Sequence, residues 1–450
     1  MSASEQTFSR RASYGPSSPK VGTRGARTTS KLSQAALQSF AAKGFHGTSV
    51  EDIATLAGTS RATLYQYFES KEAIFIGLMG EAGAALMRVT RRLGKLGPTA
   101  AGLDSLHWWL GEWSWVFDRY AAMFIEWANV NSPKAPLRPR LAEFVESHTK
   151  WFSDELATAG FVGCDPQVMA TLVLGVTSRY NYIRHVYRPG LPDARLLESL
   201  AIAMQLALFP DTPLAVLQAG PQSVESRERP ESMVSTPTHA IGPLAELPLN
   251  VVPLPSPLQG LSGQAGRTVR LLLDAAGRVF ADTGYEAANI DQIVTEAGLA
   301  RGTFYRYFDD KLELIIALAT ECATDMHDPF IALANVPAMR DPGQLQGWLH
   351  EFLGLQQRYA GVLRAWTEGF PIDPQVLAPC RTVMIDLSSA LRELFGPPRD
   401  YGLDRRAGGM MLAALLEHFP DEGKGTSFEP SADQIVQAQA LFINRVLLSR

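Results

Sequence analysis

At 450 residues the chain is too long for one core, and a prior of roughly 150 residues per domain predicts about three or four domains. Hydrophobic content of 46%, 19% charged residues and a net charge of −5 are ordinary for a globular protein, so any nucleic-acid contact must rest on a local basic surface. Cys164, Cys322 and Cys380 stand far apart, which excludes a disulfide framework and fits a reducing cytoplasm. The start has no apolar signal core, and no run approaches the roughly 18 apolar residues that span a bilayer, so the expectation is a cytoplasmic protein without a membrane segment.

In chain order, residues 1–26 are polar and basic, with Arg10, Arg11, Lys20 and Arg24 against Glu5, and read as a disordered tail. From residue 27 the pattern turns helical, with Leu32, Ala35, Ala36 and Phe40 at helical spacing. Gly44 stands where a left-handed cap would end that helix. Ser49 and Asp52 have capping-box spacing for a second helix ending at Ala57-Gly58. After a short turn, Ser60 caps a third helix that starts at Arg61. Helix, tight glycine turn and helix is the geometry that lets a reading helix enter a major groove. This head covers 27–75, and a helical body follows over 76–210. Residues 211–262 hold prolines at 213, 221, 230, 237, 243, 248, 253, 255 and 257, and read as a linker without a core.

The second half repeats the first. Shifting residues 40–71 by 240 positions gives thirteen identities in 32, among them Gly44/Gly284, Arg61/Arg301, Tyr65/Tyr305 and Lys71/Lys311. The echo continues at a shift of 239, where Trp109 meets Trp348, Arg119-Tyr120 meets Arg358-Tyr359 and Trp127 meets Trp366. A second head is therefore expected over 263–315 and a second body over 316–450. The fold class predicted is all-α, a duplicated architecture with no convincing strand alternation.

The segment GFHGTSVEDIATLAGTSRATLYQYFESKEAIF at 44–75 resembles the DNA-binding domain of TetR-family regulators, as does GYEAANIDQIVTEAGLARGTFYRYFDDKLELI at 284–315. The resemblance implies a transcriptional regulator, most simply a repressor, that binds double-stranded operator DNA; the tryptophans of the first body predict a small apolar or aromatic effector that releases it. It implies that the last two helices of each unit, about 166–186 with 194–209 and about 404–419 with 432–448, pair in a four-helix interface. With both units in one chain, the expected form is an intramolecular pseudo-dimer, with a further homodimer left open.

By the same resemblance Arg61, Ala62, Thr63 and Gln66 face the groove in the first unit, and Arg301, Gly302, Thr303 and Arg306 in the second. Arginine suits guanine and glutamine suits adenine. Thr48, Tyr65, Tyr67 and Lys71, with Tyr305, Tyr307 and Lys311, match positions that hold phosphates. The second unit departs at Ala288, which replaces Thr48, and at Ala300, which replaces the cap Ser60. In the first body, Trp109, Trp113, Tyr120, Phe124, Trp127 and Trp151 are candidates to line a cavity for a bulky ligand, or else form a helical core. Arg179, Tyr180, Asn181 and Arg184 share one helix and could add polar contacts.

An enzyme is not indicated. The histidines are scattered without ligand spacing, and there is no phosphate-cradling loop and no Gly-x-Ser-x-Gly elbow. No catalytic residue, metal or cofactor is expected. The alternative reading is a helical scaffold that no longer reads DNA, at least through its second head.

Overall fold

The computed structural model describes residues 23–125, 138–187, 190–222, 260–261, 263–367, 374–395, 400–417 and 427–448, and every regular element among them is helical. In the first unit the head comprises α1 (Thr23–Gly47), α2 (Val50–Leu56) and α3 (Arg61–Tyr67). The body follows with α4 (Lys71–Thr90), α5 (Ala100–Arg119), α6 (Ala121–Ile125), α7 (Arg138–Thr158), α8 (Pro166–Tyr187), α9 (Asp193–Leu208) and α10 (Leu214–Ala219). The second unit repeats the order with α11 (Gly263–Thr283), α12 (Ile290–Ala297), α13 (Arg301–Phe304), α14 (Lys311–Leu333) and α15 (Val336–Met339). It ends with α16 (Pro342–Arg358), α17 (Ala360–Thr367), α18 (Pro374–Phe395), α19 (Arg405–Glu417) and α20 (Ala432–Ile443), the last running into a π-turn at Asn444–Leu448.

Three boundaries differ from the sequence expectation. Helix α1 starts at Thr23, inside the segment read as a tail. Helix α4 runs through position 75, so head and body share a continuous helix. The span read as linker begins with packed chain: Leu217 of α10 is fully buried, and Gln205 Nε2 donates to Thr212 Oγ1 at 2.8 Å. Proline 213 acts there as the helix N-cap, a position that needs no amide hydrogen. Residues 223–259 of that span lie outside the described residues. By length and composition α4 alone among the described helices is apolar enough to cross a membrane. Its apolar face, Ile74, Phe75, Leu78, Ala82 and Leu86, is buried in the first unit's core.

The two bodies meet through α8 and α9 of unit 1 and α19 and α20 of unit 2. From Ser199 to Leu208 every position of α9 is buried. A glycine opens each end of the joint. Gly163 and Gly402 precede Asp165 and Asp404, whose carboxylates accept from the first amides of α8 and α19, Gln167 N at 2.7 Å and Arg406 N at 2.8 Å. A Cβ on Gly163 would lie 2.8 Å from Leu441 Cδ2, and one on Gly402 2.5 Å from Glu198 Oε1, so a larger residue at either place would push a side-chain end of the opposite unit aside; Gly163 (φ 122°) also favours glycine by its backbone.

The polar contacts at the two ends differ. At one, Ser199 Oγ donates to Gly402 O and accepts from Asp404 N, both at 3.0 Å. At the other, Arg445 donates to Ala207 O at 2.8 Å and to Val162 O at 2.7 Å. Arg445 satisfies a carbonyl in the last turn of α9, where intrahelical partners run out. Arg445→Leu should therefore lower the urea midpoint of the full chain by the equivalent of about 1.5–3 kcal/mol, the range for hydrogen bonds to charged groups. An unchanged midpoint would show that the contact adds nothing to the joint.

Candidate functional site

Each head builds its reading helix by the same local rules. Asn289 and Ser49 cap the second helix through full capping boxes, with Gln292 and Asp52 returning the bond. The turn then needs a left-handed residue, supplied by Gly58 (φ 63°) and Gly298 (φ 68°). Thr59 N bonds Ala54 O at 2.9 Å, and Leu299 N bonds Val294 O at 2.9 Å, closing the two turns identically. Leu64 and Phe304 are fully buried and anchor the reading helix to its head.

The two reading helices then diverge. In α3, Ser60 Oγ accepts from Thr63 N at 3.1 Å, and the helix extends for seven residues. In α13, Ala300 gives no side-chain cap and Gly302 replaces Ala62, and the helix is four residues long. A lost cap and an interior glycine each cost about 1 kcal/mol. Arg61, Ala62, Tyr65 and Gln66 are exposed on α3, as are Arg301, Gly302, Tyr305 and Arg306 in the second head, while Thr63 and Thr303 are half-buried. Arg61 Nη2 lies 3.3 Å from Tyr65 OH and its guanidinium stands over the Tyr65 ring. Arg301 makes the same contact but is also held two-pronged by Asp291, at 2.8 and 2.7 Å. An open hollow of about 530 Å³ beside it is lined by Asp282, Asp291 and Glu296. That acidic wall opposes a phosphate backbone, and position 291 is Glu51 in the first head.

Three of the residues expected to reach phosphate are turned inward. Thr48 is buried, and its hydroxyl donates to Gly44 O at 2.8 Å or Ser39 O at 3.0 Å. Lys71 Nζ donates to Phe45 O at 2.7 Å and Thr48 O at 2.9 Å, above the Phe45 ring. Lys311 does the same with Tyr285 O at 2.6 Å and Ala288 O at 2.9 Å, and burial lowers its pKa. These ammonium groups stitch the loop between the first two head helices to the start of the fourth. A lysine opposes the helix dipole at a first turn, and the carbonyl cage compensates it. Tyr67 and Tyr307 are half-buried against the core, so Tyr65 and Tyr305 remain the accessible tyrosines of the set.

The aromatic cluster in the first body is largely core. Trp109 is fully buried against Phe152, with ring centroids 5.2 Å apart. Trp113 stacks on Phe117 at 6.1 Å and lies 5.8 Å from Phe124; Tyr120 is buried and Trp151 half-buried. Large aromatic faces at helical spacing bury area fastest when they meet one another, as Trp109 does with Phe152 and Trp113 with Phe117 and Phe124. Trp127 lies outside the described residues. Sequence reasoning underrated the polar centre beside them. Arg184 is buried, 2.5 Å from Asp118 and 3.3 Å from Asp193, and bonds Asn181 Oδ1. Trp113 Nε1 and Ser114 Oγ are buried nearby in sequence without a partner among the described residues. Arg179 instead stacks on Tyr182 at 4.3 Å, and Tyr180 OH donates to Leu196 O at 2.9 Å.

Comparison with known proteins follows from this geometry: two three-helix heads with an exposed arginine-bearing third helix define a helix-turn-helix protein. The sequence profile for bacterial regulatory proteins of the tetR family matches residues 32–78 and again 272–318, so the chain carries that family's DNA-binding domain twice, in tandem. The HTH-type transcriptional activator FasR of Mycolicibacterium smegmatis is 26% identical over 146 residues, 32% of this chain and 65% of FasR. The HTH-type transcriptional regulator RutR of Escherichia coli (strain K12) is 53% identical over 45 residues, 10% of this chain and 21% of RutR. The chain thus spans less than two thirds of the length of these curated relatives. Among solved structures, the regulator FadR from Bacillus subtilis in complex with stearoyl-CoA is 18% identical at a TM-score of 0.32, over 38% of this chain and 95% of that one.

Two outcomes are expected. Lys71→Met should lower thermal stability, and by more than Gln66→Ala, because it strips bonds from two partly buried carbonyls. Equal melting temperatures for the two variants would return Lys71 to the DNA-facing set. His148 adds a pH term. Its Nε2 lies 2.7 Å from Thr90 Oγ1, which also receives Trp109 Nε1 at 3.2 Å, and burial pushes its pKa down to about 4. The unfolded chain binds this proton below about pH 6.5 while the folded one does not. Stability is therefore full above pH 6.5 and falls between 6.5 and about 4, by at most about 3 kcal/mol. His148→Gln should flatten the unfolding free energy across that window; an unchanged slope would refute the assignment.

Proposed function

We propose that the protein is a cytoplasmic DNA-binding transcriptional regulator that acts as a single-chain pseudo-dimer. The observation that carries the reading is the exposed reading helix on each of two heads, joined through bodies that bury one another's last two helices. Placing both heads in one chain raises the effective concentration of the second, so a weak second head still adds affinity. Two different helices call for an asymmetric operator of two related half-sites. Arg61, Thr63 and Gln66 read the first half. Arg301, Thr303 and Arg306 read the second, more weakly, because Asp291 competes for Arg301. Tyr65 and Tyr305 meet the backbone.

The effector we propose is a small apolar or aromatic molecule with one polar group, taken up in the first body beside Arg184, Trp113 and Ser114. The buried Trp113 Nε1 and Ser114 Oγ, without a hydrogen-bond partner among the described residues, support this reading. It acts by preferring the arrangement that does not fit the operator, since a ligand of equal affinity for both arrangements shifts nothing.

The test is a motif selected from random DNA by the purified full chain, together with its sedimentation mass. The expected result is a particle of one chain and an asymmetric two-part motif. Arg61→Ala should weaken the preferred site by about 1–3 kcal/mol and relax one base pair. Asp291→Asn should sharpen the second half-site by releasing Arg301. A motif of one half-site untouched by Arg301→Ala would make the second head structural. Failure to shift DNA at any salt would leave the scaffold reading.

A further inference from the structure

The two units hold their heads in different ways. In unit 2, Arg270 of the head helix α11 donates from Nη1 to Glu321 Oε1 of α14 at 2.7 Å, with its Nε 3.1 Å from Asp274. Tyr359, closing α16, is buried and lies 2.8 Å from Glu321 Oε1 and 2.6 Å from Asp325 Oδ2. Its one hydroxyl proton serves one carboxylate at a time. Arg358 covers both acids, at 3.0 and 3.5 Å. Two arginines thus face three carboxylates, two of which share a phenol. Burial, and then its bonds to Asp325 and Glu321, raise the Tyr359 pKa, so it stays a donor. Glu321 is the sheltered charge of the group, and losing its arginine would leave that carboxylate poorly solvated.

A second contact backs the first. Helix α17 crosses α11 so closely that a Cβ on Gly361 would stand 2.6 Å from Gly277 O and 2.7 Å from Phe280 Cβ. Arg364 Nη1 donates to Ala281 O at 2.8 Å, in the last turn of α11. Backbone therefore meets backbone, and a cation sits at the helix end that favours one.

Unit 1 keeps the body-side members of this arrangement and lacks the rest. Glu81, Arg119 and Tyr120 match Glu321, Arg358 and Tyr359. But Ser30 stands at the place of Arg270, Ala85 at that of Asp325, Leu37 at Gly277, Ala122 at Gly361 and Ile125 at Arg364. The head side offers no matching charge, and side chains replace the glycine pair at the crossing.

We propose that head 2 is clamped to its body by the Arg270–Glu321–Tyr359–Asp325–Arg358 network and the Gly277–Gly361 crossing, whereas head 1 pivots. Any change in the spacing of the two heads then comes from unit 1. The clamp stands on the geometry of the free chain; only its consequence for DNA release rests on the regulator reading above.

Hydrogen exchange of the full chain, without DNA or effector, tests it. Amides of α11 should exchange about tenfold more slowly than those of α1, since exchange follows the free energy of local opening. The double change Arg270→Ser with Asp325→Ala, which copies unit 1, should bring α11 close to α1 and leave α1 unchanged. The reciprocal double change Ser30→Arg with Ala85→Asp should slow α1. Equal exchange of α1 and α11 in the unaltered chain overturns the proposal, as does indifference of α1 to the installed pair. If the first double change unfolds unit 2 outright, the installed pair in unit 1 decides. A chain that shows the asymmetry but binds no DNA would remove the regulator reading and leave the clamp standing.

Discussion

Helix α9 has no solvent face over its last ten residues, and that constraint organises the molecule. From Ser199 to Leu208 every side chain is buried, including Gln205, which spends its amide on Gly97 O at 2.9 Å. An apolar helix buried all round needs neighbours on every side. The first body covers one side, and α19 and α20 of the second unit cover another. Removing the second unit would strand a large apolar surface in water, at about 25 cal/mol for each Å² exposed. The glycines at 163 and 402 fit this arrangement: at the ends of the joint, side-chain tips of the opposite unit fill the space that a Cβ would take.

Once the joint is built from two different sequences, its ends no longer need to match. One end uses Ser199 and the other Arg445, each satisfying carbonyls that the opposite end satisfies differently. The same freedom runs outward to the heads. Parts that make a head fold are kept in both copies: capping boxes, the left-handed glycines, and the lysine caged by loop carbonyls. Parts that face outward, or that join head to body, differ in both reading chemistry and rigidity. Duplication has preserved the scaffold and let the two working surfaces drift apart.

The charge pattern follows the same division. Both oxygens of Asp291 meet Arg301 Nη1 on an exposed surface, where such a pair is worth little and yields to a better partner. The network around Tyr359 centres on the sheltered Glu321, which two arginines and a phenol share, so it resists displacement more than an exposed pair does. Arg301 and Arg358 are comparably exposed, and what separates them is the acid each meets: Asp291 is open to water and Glu321 is not.

The amino-acid sequence by itself determined the duplication, the helical class, the helix-turn-helix at each head and, by resemblance, the helices that pair across the joint. Those features rest on local spacing: capping residues three apart, glycines at left-handed turns, apolar positions at helical period. Only the tertiary structure decided where long side chains spend their charge and how deep each residue lies. Lys71 and Lys311 read as phosphate contacts by position, yet the fold brings carbonyls from residues 23 to 26 positions away to meet them. Thr48 likewise turns inward because Ser39, nine residues earlier, is brought beside it. The density of tryptophans in the first body left cavity lining and core both open, and only the fold brought Phe152 against Trp109 and Phe124 against Trp113. Residue type and spacing record what a segment is able to form; the partner that claims a polar or aromatic group comes from distant chain, and only packing brings it there.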